Sequence, residues 1–273
     1  SHQRLIIARP GPDKTRTQAA EEVLAAFLPK AFRRPVSATE RQKYVKLFAA
    51  ADRPEESFEA VLALPLKAAL VSPHFLYRVE AEQQGKDGSY SLNGFELASR
   101  LSYFLWSTMP DDELLRLAGE GKLTDPAVLE VQVMRLLADP KSRALSENFV
   151  SQWLQIRGLD NFQPAAKQGK IGTRLRIGMA SEPIYVFHEV LTKHQPVTQL
   201  IDADFTYANG DLARHYKLPP LPEHEDKQKQ IEKDKILRYS LPADAHRGGL
   251  MTSAAVLTVT SHPDRTSPVK RGK

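Results

Sequence analysis

Helix-start signals recur along this chain at short intervals, and they constrain its fold more than any other feature. Thr15 with Gln18, Ser37 with Glu40 and Asn93 with Glu96 share one spacing. A short polar side chain caps a first turn, and a longer one three residues on reaches back to the cap. Asp125-Pro126, Asp139-Pro140 and Ser267-Pro268 repeat a second device, a capping residue followed by proline at the first helical position, where the missing N–H costs nothing. Apolar residues follow at helical spacing, as in Val23, Leu24, Phe27 and Leu28. There is no strand–helix–strand alternation and no fixed-period repeat. The expected fold is all-α, a multi-helix bundle with long irregular loops and at most a short strand pair near the C-terminus.

Taken in order, Pro10-Gly11-Pro12 closes an extended lead-in. A first helix runs from Thr15 to about Phe32 and is broken at Arg33-Arg34-Pro35. Ser37 opens a second, and Asp52 with Pro54 a third, which Pro65 should kink. Ser72-Pro73 starts a further turn, and Gly85 to Gly88 reads as a loop. Gly94 to about Ser107 carries apolar residues on more than one face and is expected to be deeply buried. Further helices follow to Ala118, about Ala138 and about Arg157. Residues 158–172 read as loop. A helix spans about 173–193, interrupted or restarted near Ser181-Glu182-Pro183. Asp202 to Asn209 reads as a polar turn, with Asn209 capping Asp211 to Tyr216. Residues 218–235 lack periodicity, and 236–241 form a short strand. Three units are expected: an N-terminal helical unit over 1–88, a central one over 89–172, and a loop-rich C-terminal one over 173–273.

Composition excludes several classes of function. Among 273 residues there is no cysteine, which removes disulfides, thiolate metal sites, cysteine nucleophiles and covalent haem attachment within the chain. No run of 18 apolar residues exists, so no membrane span is expected. The 38 basic residues against 33 acidic ones leave +5, spread among acids, and give no case for nucleic acid. Serine elbow, P-loop, dinucleotide glycine pattern and H-E-x-x-H are all missing.

The stretch from Arg247 onward is the best candidate for a site. Arg247, Thr260, Ser261, His262, Arg265, Thr266, Ser267, Lys270 and Arg271 combine hydroxyls, cations and a helix start, a set suited to phosphate, sulfate or carboxylate. The same groups can instead satisfy the backbone of their own loop. His262 can serve as a general base or as a metal or haem ligand, against a structural hydrogen-bonding role, and His74 can face a pocket, against plain core packing. Asp202, Asp204, Asn209 and Asp211 invite a calcium reading but lack the central glycine and closing glutamate of an EF-hand loop, so turn and cap roles explain them. Arg33-Arg34 can bind an anion or simply sit at a helix C-terminus, which attracts cations. His188 and His194 lack the spacing of a zinc pair, and no metal site is expected.

Five stretches carry a family resemblance. RGGLMTSAAVLTVTSHPDRTSPVKRGK resembles the signature of planctomycete-type exported proteins of unknown function. AFRRPVSATERQKY with LVSPHFLYRVE resembles one associated domain, LNGFELASRLSYFLWSTMPDDELL a second, and LIDADFTYANGDLARHYKLP the start of the C-terminal one. The resemblance runs from about residue 20 onward, in the family's order. It implies a periplasmic or extracellular protein in which helical domains flank c-type-cytochrome-like segments. Lacking cysteine, this chain departs from those segments, so haem is expected only in segments outside it, and no cofactor within it. The helix announced at Ser267-Pro268 is cut short, so the chain is expected to be a piece of a longer protein. Its partners would be the missing cytochrome-like segments. The function expected is a helical scaffold or interaction module of an exported, cytochrome-associated protein. The alternative is an enzyme or ligand-binding module with an anion site at 260–271, for an anionic polysaccharide.

Overall fold

The computed structural model describes residues 5–78, 80, 91–165, 170–219, 235–242 and 244–272. The Gly85–Gly88 loop and most of the aperiodic 218–235 segment lie outside them, as does the Arg271 side chain. The described residues are mainly helical, with one two-stranded antiparallel sheet. They form two compact units, residues 1–135 and 136–273. Helices of the expected N-terminal and central units both contribute to the first.

In the first unit, α1 (Arg16–Phe32), α2 (Ala38–Ala51) and α3 (Phe58–Leu70) pack on one another. Thr15 and Gln18 complete the capping box of α1, and the Ser37 hydroxyl accepts the Glu40 N–H at 3.1 Å to start α2. Ala19, Val23, Phe48, Phe58, Val61 and Leu62 fill one part of the core, with the Phe48 and Phe58 rings edge-on at 5.7 Å. The third helix begins later than its prolines suggest. Ser57 caps it through the Ala60 N–H, and Asp52 and Pro54 lie ahead of that cap. The short α4 (Pro73–Leu76) starts at Ser72 as expected.

The Asn93–Glu96 capping box opens α5 (Gly94–Trp106), and Asp111 caps α6 (Asp112–Gly119). Deep burial on all sides of α5 does not occur. It buries one stripe, Ala98, Ser102, Leu105 and Trp106, while Phe104 stays 61% exposed. The stripe follows the i, i+4, i+7, i+8 period, and Phe104 points off it. Asp125 caps α7 (Pro126–Ala138), inside which the boundary between the units falls.

The second unit is built on α9 (Thr173–Thr192), twenty residues packed against α8 (Arg143–Trp153), α10 (Gly210–Tyr216) and α11 (Ala254–Val259). A 3-10 turn, Ile156–Asn161, occupies the start of the expected 158–172 loop. No break occurs at Ser181-Glu182-Pro183: α9 runs straight through. An interior proline costs a helix about 3 kcal/mol, and here burial on every neighbouring turn offsets it, since Met179, Glu182, Pro183, Val186 and Val190 are all buried. The strand at 236–241 is β2 (Leu237–Ser240). Its partner β1 (Phe205–Ala208) occupies part of the stretch expected to be a polar turn. Asp202 and Asp204 flank an aromatic and β-branched run, Phe205-Thr206-Tyr207, that has strand propensity once a partner some thirty residues away arrives. The register pairs Phe205 with Ser240 and Ala208 with Leu237.

Two glycines set close approaches in this unit. A Cβ on Gly178 of α9 would strike the Asn209 side chain that caps α10. Gly249 has φ +63, and a Cβ there would run into the Ile201 carbonyl. Gly249→Ala therefore combines left-handed strain with overpacking, and the expected loss of unfolding free energy is about 1–3 kcal/mol. Gly158→Ala, with open space around it, should stay within about 0.5 kcal/mol of the parent in the same denaturant titration.

Candidate functional site

The C-terminal residues take up separate places. Arg247 stacks over the Tyr216 ring at 3.5 Å and donates to the Thr252 carbonyl at 2.8 Å. Thr260 and Ser261, at the end of α11, turn their hydroxyls back onto Val256 and Leu257 carbonyls at 2.6 and 2.7 Å. Such back-bonding satisfies helix-end carbonyls. The His262 N–H closes a turn on the Arg265 carbonyl at 2.9 Å, and the Pro263 carbonyl accepts the Ala165 N–H. Arg265 and Thr266 are exposed. Ser267 is buried and caps the four-residue α12 (Pro268–Arg271) through the Lys270 N–H at 3.4 Å. Lys270 reaches the Ser261 carbonyl at 3.5 Å. Within this stretch, then, Thr260, Ser261, Ser267 and the His262 backbone are engaged with the chain's own backbone.

The other candidates resolve similarly. Asn209 caps α10 and donates to the Arg174 carbonyl, while Asp211 pairs with Arg214 at 3.2 Å. Among the described residues no group of three or more His, Asp or Glu side chains is placed to hold a metal, and no helix is long and apolar enough to cross a membrane. His74 packs on the Phe32 ring at 5.4 Å and lies 3.7 Å from Glu40. His188 shares a hydrogen bond with Ser146 at 3.0 Å. Burial first, and then the Arg143 charge, hold its imidazole below the usual histidine range. Ser146 is fully buried, so the hydroxyl side of this pair is closed, while His188 is half-buried.

What sequence reasoning missed is a pair of buried glutamates on α9. Glu182 and Glu189 are seven residues apart, two turns along one face. Each is bonded to a tyrosine. Glu182 accepts the Thr206 hydroxyl at 2.8 Å, the Tyr216 hydroxyl at 2.6 Å and the Ala254 N–H at 3.2 Å. Glu189 accepts the Tyr207 hydroxyl, Arg238 Nε at 3.1 Å and Lys193 Nζ at 3.2 Å. Their surroundings drive them in opposite directions. Burial pushes the Glu182 carboxyl above its ordinary range, and its three hydrogen bonds with the more distant Arg247 charge only partly oppose this. Burial also acts on Glu189, but there the Tyr207 hydroxyl, Arg238 and Lys193 win, and the carboxyl is held below its ordinary range.

Beside Glu182 lies a cavity of about 210 Å³, lined by Leu175, Met179, Tyr216, Arg247, Leu257 and their neighbours. Tyr216 stands between it and the carboxyl. Its hydroxyl donates to Glu182 and accepts the Ala254 N–H at 2.7 Å, and burial foremost pushes it well above the tyrosine range. A phenol so bound is a structural link, not an available acid. The only sequence sign of this cluster is an acid inside an otherwise apolar helical stretch, and its partners lie 24 to 72 positions away.

Residues 92–218 match the family model PSD4, protein of unknown function (DUF1592), and residues 19–80 match PSD5, protein of unknown function (DUF1595). The chain carries two domains of unknown function. No curated protein and no solved structure matches it. The PSD5 match takes in α1 to α4, and the PSD4 match runs from the α5 cap through α10. The stretch 200–218, expected to open a separate C-terminal domain, falls within the PSD4 match. Arg247 to Lys273 lies beyond both matches.

The glutamate pair gives opposite pH responses. A carboxyl whose folded pKa is raised stabilises most when protonated, so Glu182 contributes fully below the ordinary glutamate range and loses that contribution as pH rises through its folded value. Glu182→Gln should therefore gain stability relative to the parent as pH climbs from 4.5, by at most about 1.4 kcal/mol per pH unit. Glu189 contributes above the ordinary range and loses it as acid drives pH through its lowered value. Glu189→Gln, leaving Arg238 and Lys193 without their anion, should cost about 1–3 kcal/mol at neutral pH and less in acid. Urea titrations from about pH 2.5 to 8, covering both sides of the ordinary glutamate range, separate the two; parallel curves for both variants would contradict the assignment.

Proposed function

We propose that this chain is a helical scaffold module of a larger exported protein, whose partner is a cytochrome-like haem segment of the same polypeptide. One observation carries this reading. The Thr260, Ser261 and Ser267 hydroxyls and the buried Glu182 and Glu189 carboxylates are engaged by groups of the second unit itself, and α8 turns an aromatic pair outward. Phe149 and Trp153, one turn apart on α8, stack at 5.4 Å, and Phe187 of α9 backs Phe149 at 5.5 Å. Trp153 is 53% exposed. A rigid aromatic pair held by a packed helix is the kind of anchor that dominates protein interfaces. The PSD5 and PSD4 matches, in that order, agree with the resemblance that implies export and a haem neighbour. The enzyme or anionic-polysaccharide reading of the 260–271 loop has less support, because the Thr260, Ser261 and Ser267 hydroxyls already serve helix ends.

The test compares this chain with the full polypeptide. The full form should absorb in the haem Soret region, and backbone amides of α8 should exchange more slowly in it than in the chain alone. Trp153→Ala should erase much of that extra protection while leaving the melting temperature of the chain alone nearly unchanged. Equal exchange of α8 in both forms, or a full polypeptide without haem absorbance, would reject the reading.

A further inference from the structure

The first unit holds a cavity of about 610 Å³, lined by Phe32, Arg33, Arg34, His74, Tyr77, Arg78, Glu80 and the first turns of α5, including Arg100. Four arginines meet here, and they are not equivalent. Arg34 grips both oxygens of Glu40 at 2.9 and 3.0 Å. Arg100 grips Glu80 through Nε at 3.1 Å and Nη2 at 2.6 Å. Each of these charges is matched by its own carboxylate. Glu96, the remaining acid of the wall, accepts the Asn93 N–H in the capping box.

Among the described residues, Arg33 and Arg78 have no such match. Arg33 is 6% exposed, in the left-handed conformation that ends α1. Its guanidinium donates only to neutral acceptors: the carbonyls of His74 at 2.8 Å, Tyr77 at 3.0 Å and Phe75 at 3.2 Å, and the Tyr103 hydroxyl at 3.4 Å. Its donors are satisfied, but its charge is not. Arg78 is exposed, and among the described residues its guanidinium contacts only the Tyr103 ring, 4.7 Å from the centroid; Arg33 lies 5.7 Å from the same centroid. Two guanidinium ions thus share one tyrosine, and no described carboxylate is bonded to either. The capping box closes the positive end of α5, so the cavity's excess charge comes from side chains. A buried cation without an anion is costly, and an oxyanion seated between Arg78 and the unspent edge of Arg100 would relieve it. Phe32, Tyr77 and Phe95 form the apolar part of the wall.

We propose that the cavity between Arg33, Arg78 and Arg100 binds a small oxyanionic ligand, a carboxylate, sulfate or phosphate joined to an apolar body that rests on Phe32, Tyr77 and Phe95. The fork of Arg78 is the free group that grasps the anion, Arg33 supplies buried charge, and the volume suits a ligand of metabolite size. The inference is independent of the scaffold reading, since it concerns the other unit.

The experiment is calorimetric titration of the chain with sodium benzoate, phenyl sulfate and phenyl phosphate at about 20 mM ionic strength, with benzamide as the uncharged counterpart. Saturable binding of at least one anion is expected, weakened by added salt, and benzamide should not bind. Preference for benzoate would assign a planar carboxylate, and preference for the other two a tetrahedral oxyanion. Arg78→Gln, at an exposed position, should weaken binding at least about tenfold, while Arg214→Gln in the second unit should leave it unchanged. No saturable anion binding up to about 10 mM, equal binding of benzamide, or an Arg78→Gln variant that binds as the parent does would each overturn the proposal.

Discussion

The second unit depends on one buried carboxyl. Glu182 sits mid-way along α9, and its oxygens take donors from β1, α10 and the first turn of α11. The α11 contact explains an oddity at that helix's start. Ser253, at the capping position, makes no side-chain cap and donates instead to the Leu250 carbonyl. The orphan N–H of Ala254 goes to Glu182, 72 positions away, and to the Tyr216 hydroxyl. A local cap has been exchanged for a tertiary one, so the first turn of α11 is tied to α9 and α10. Burying an acid this way is expensive unless it is bonded or neutral, and its raised pKa shows that burial outweighs its donors.

That dependence also explains why α9 tolerates Pro183. A helix end at that point would release Glu182 from the only place where its three partners meet. The residues either side, Met179 and Val186, are buried in the two apolar clusters of the unit. Packing along its length therefore holds the helix through a residue that would end it in isolation. Glu189, two turns on, anchors the β-ribbon from the same helix through Tyr207 and Arg238, which belong to β1 and β2. One helix face carries both acids; both bond β1, to which Glu182 adds α10 and α11 and Glu189 adds β2.

The parts of this fold legible in the sequence are those written in short range. Thr15 with Gln18, Ser37, Asn93 with Glu96, Asp125 and Asn209 are all capping residues in the structure, because a cap and the N–H it binds lie two or three positions apart; Glu40, placed to reach back to Ser37, instead holds Arg34. What failed was set by distant partners. Asp202 and Asp204 precede a strand whose partner comes some thirty residues later, and Phe104 stays exposed on a helix that buries a different stripe; the Ser57 cap beyond Pro54 is the one local exception. The glutamate cluster was illegible for the same reason, since no local pattern brings Thr206, Tyr216 and Ala254 to one carboxyl.

The two arginines after α1 show how far a local reading reaches. Arg33-Arg34 at a helix C-terminus is explained electrostatically without any ligand, and for Arg34 that explanation is nearly complete, because Glu40 both binds its guanidinium and is held below the usual carboxylate range chiefly by that hydrogen bond. Arg33 is different only because the chain returns. The carbonyls of 74, 75 and 77 wrap its guanidinium, and Tyr103 brings Arg78 to the same ring. Carbonyl dipoles solvate a cation but do not neutralise it, so the positive potential of Arg33 persists into the cavity. Adjacent residues of identical type thus end in opposite electrostatic states, one neutralised within its own turn and one left without a counter-charge among the described residues, and the difference lies entirely in tertiary structure.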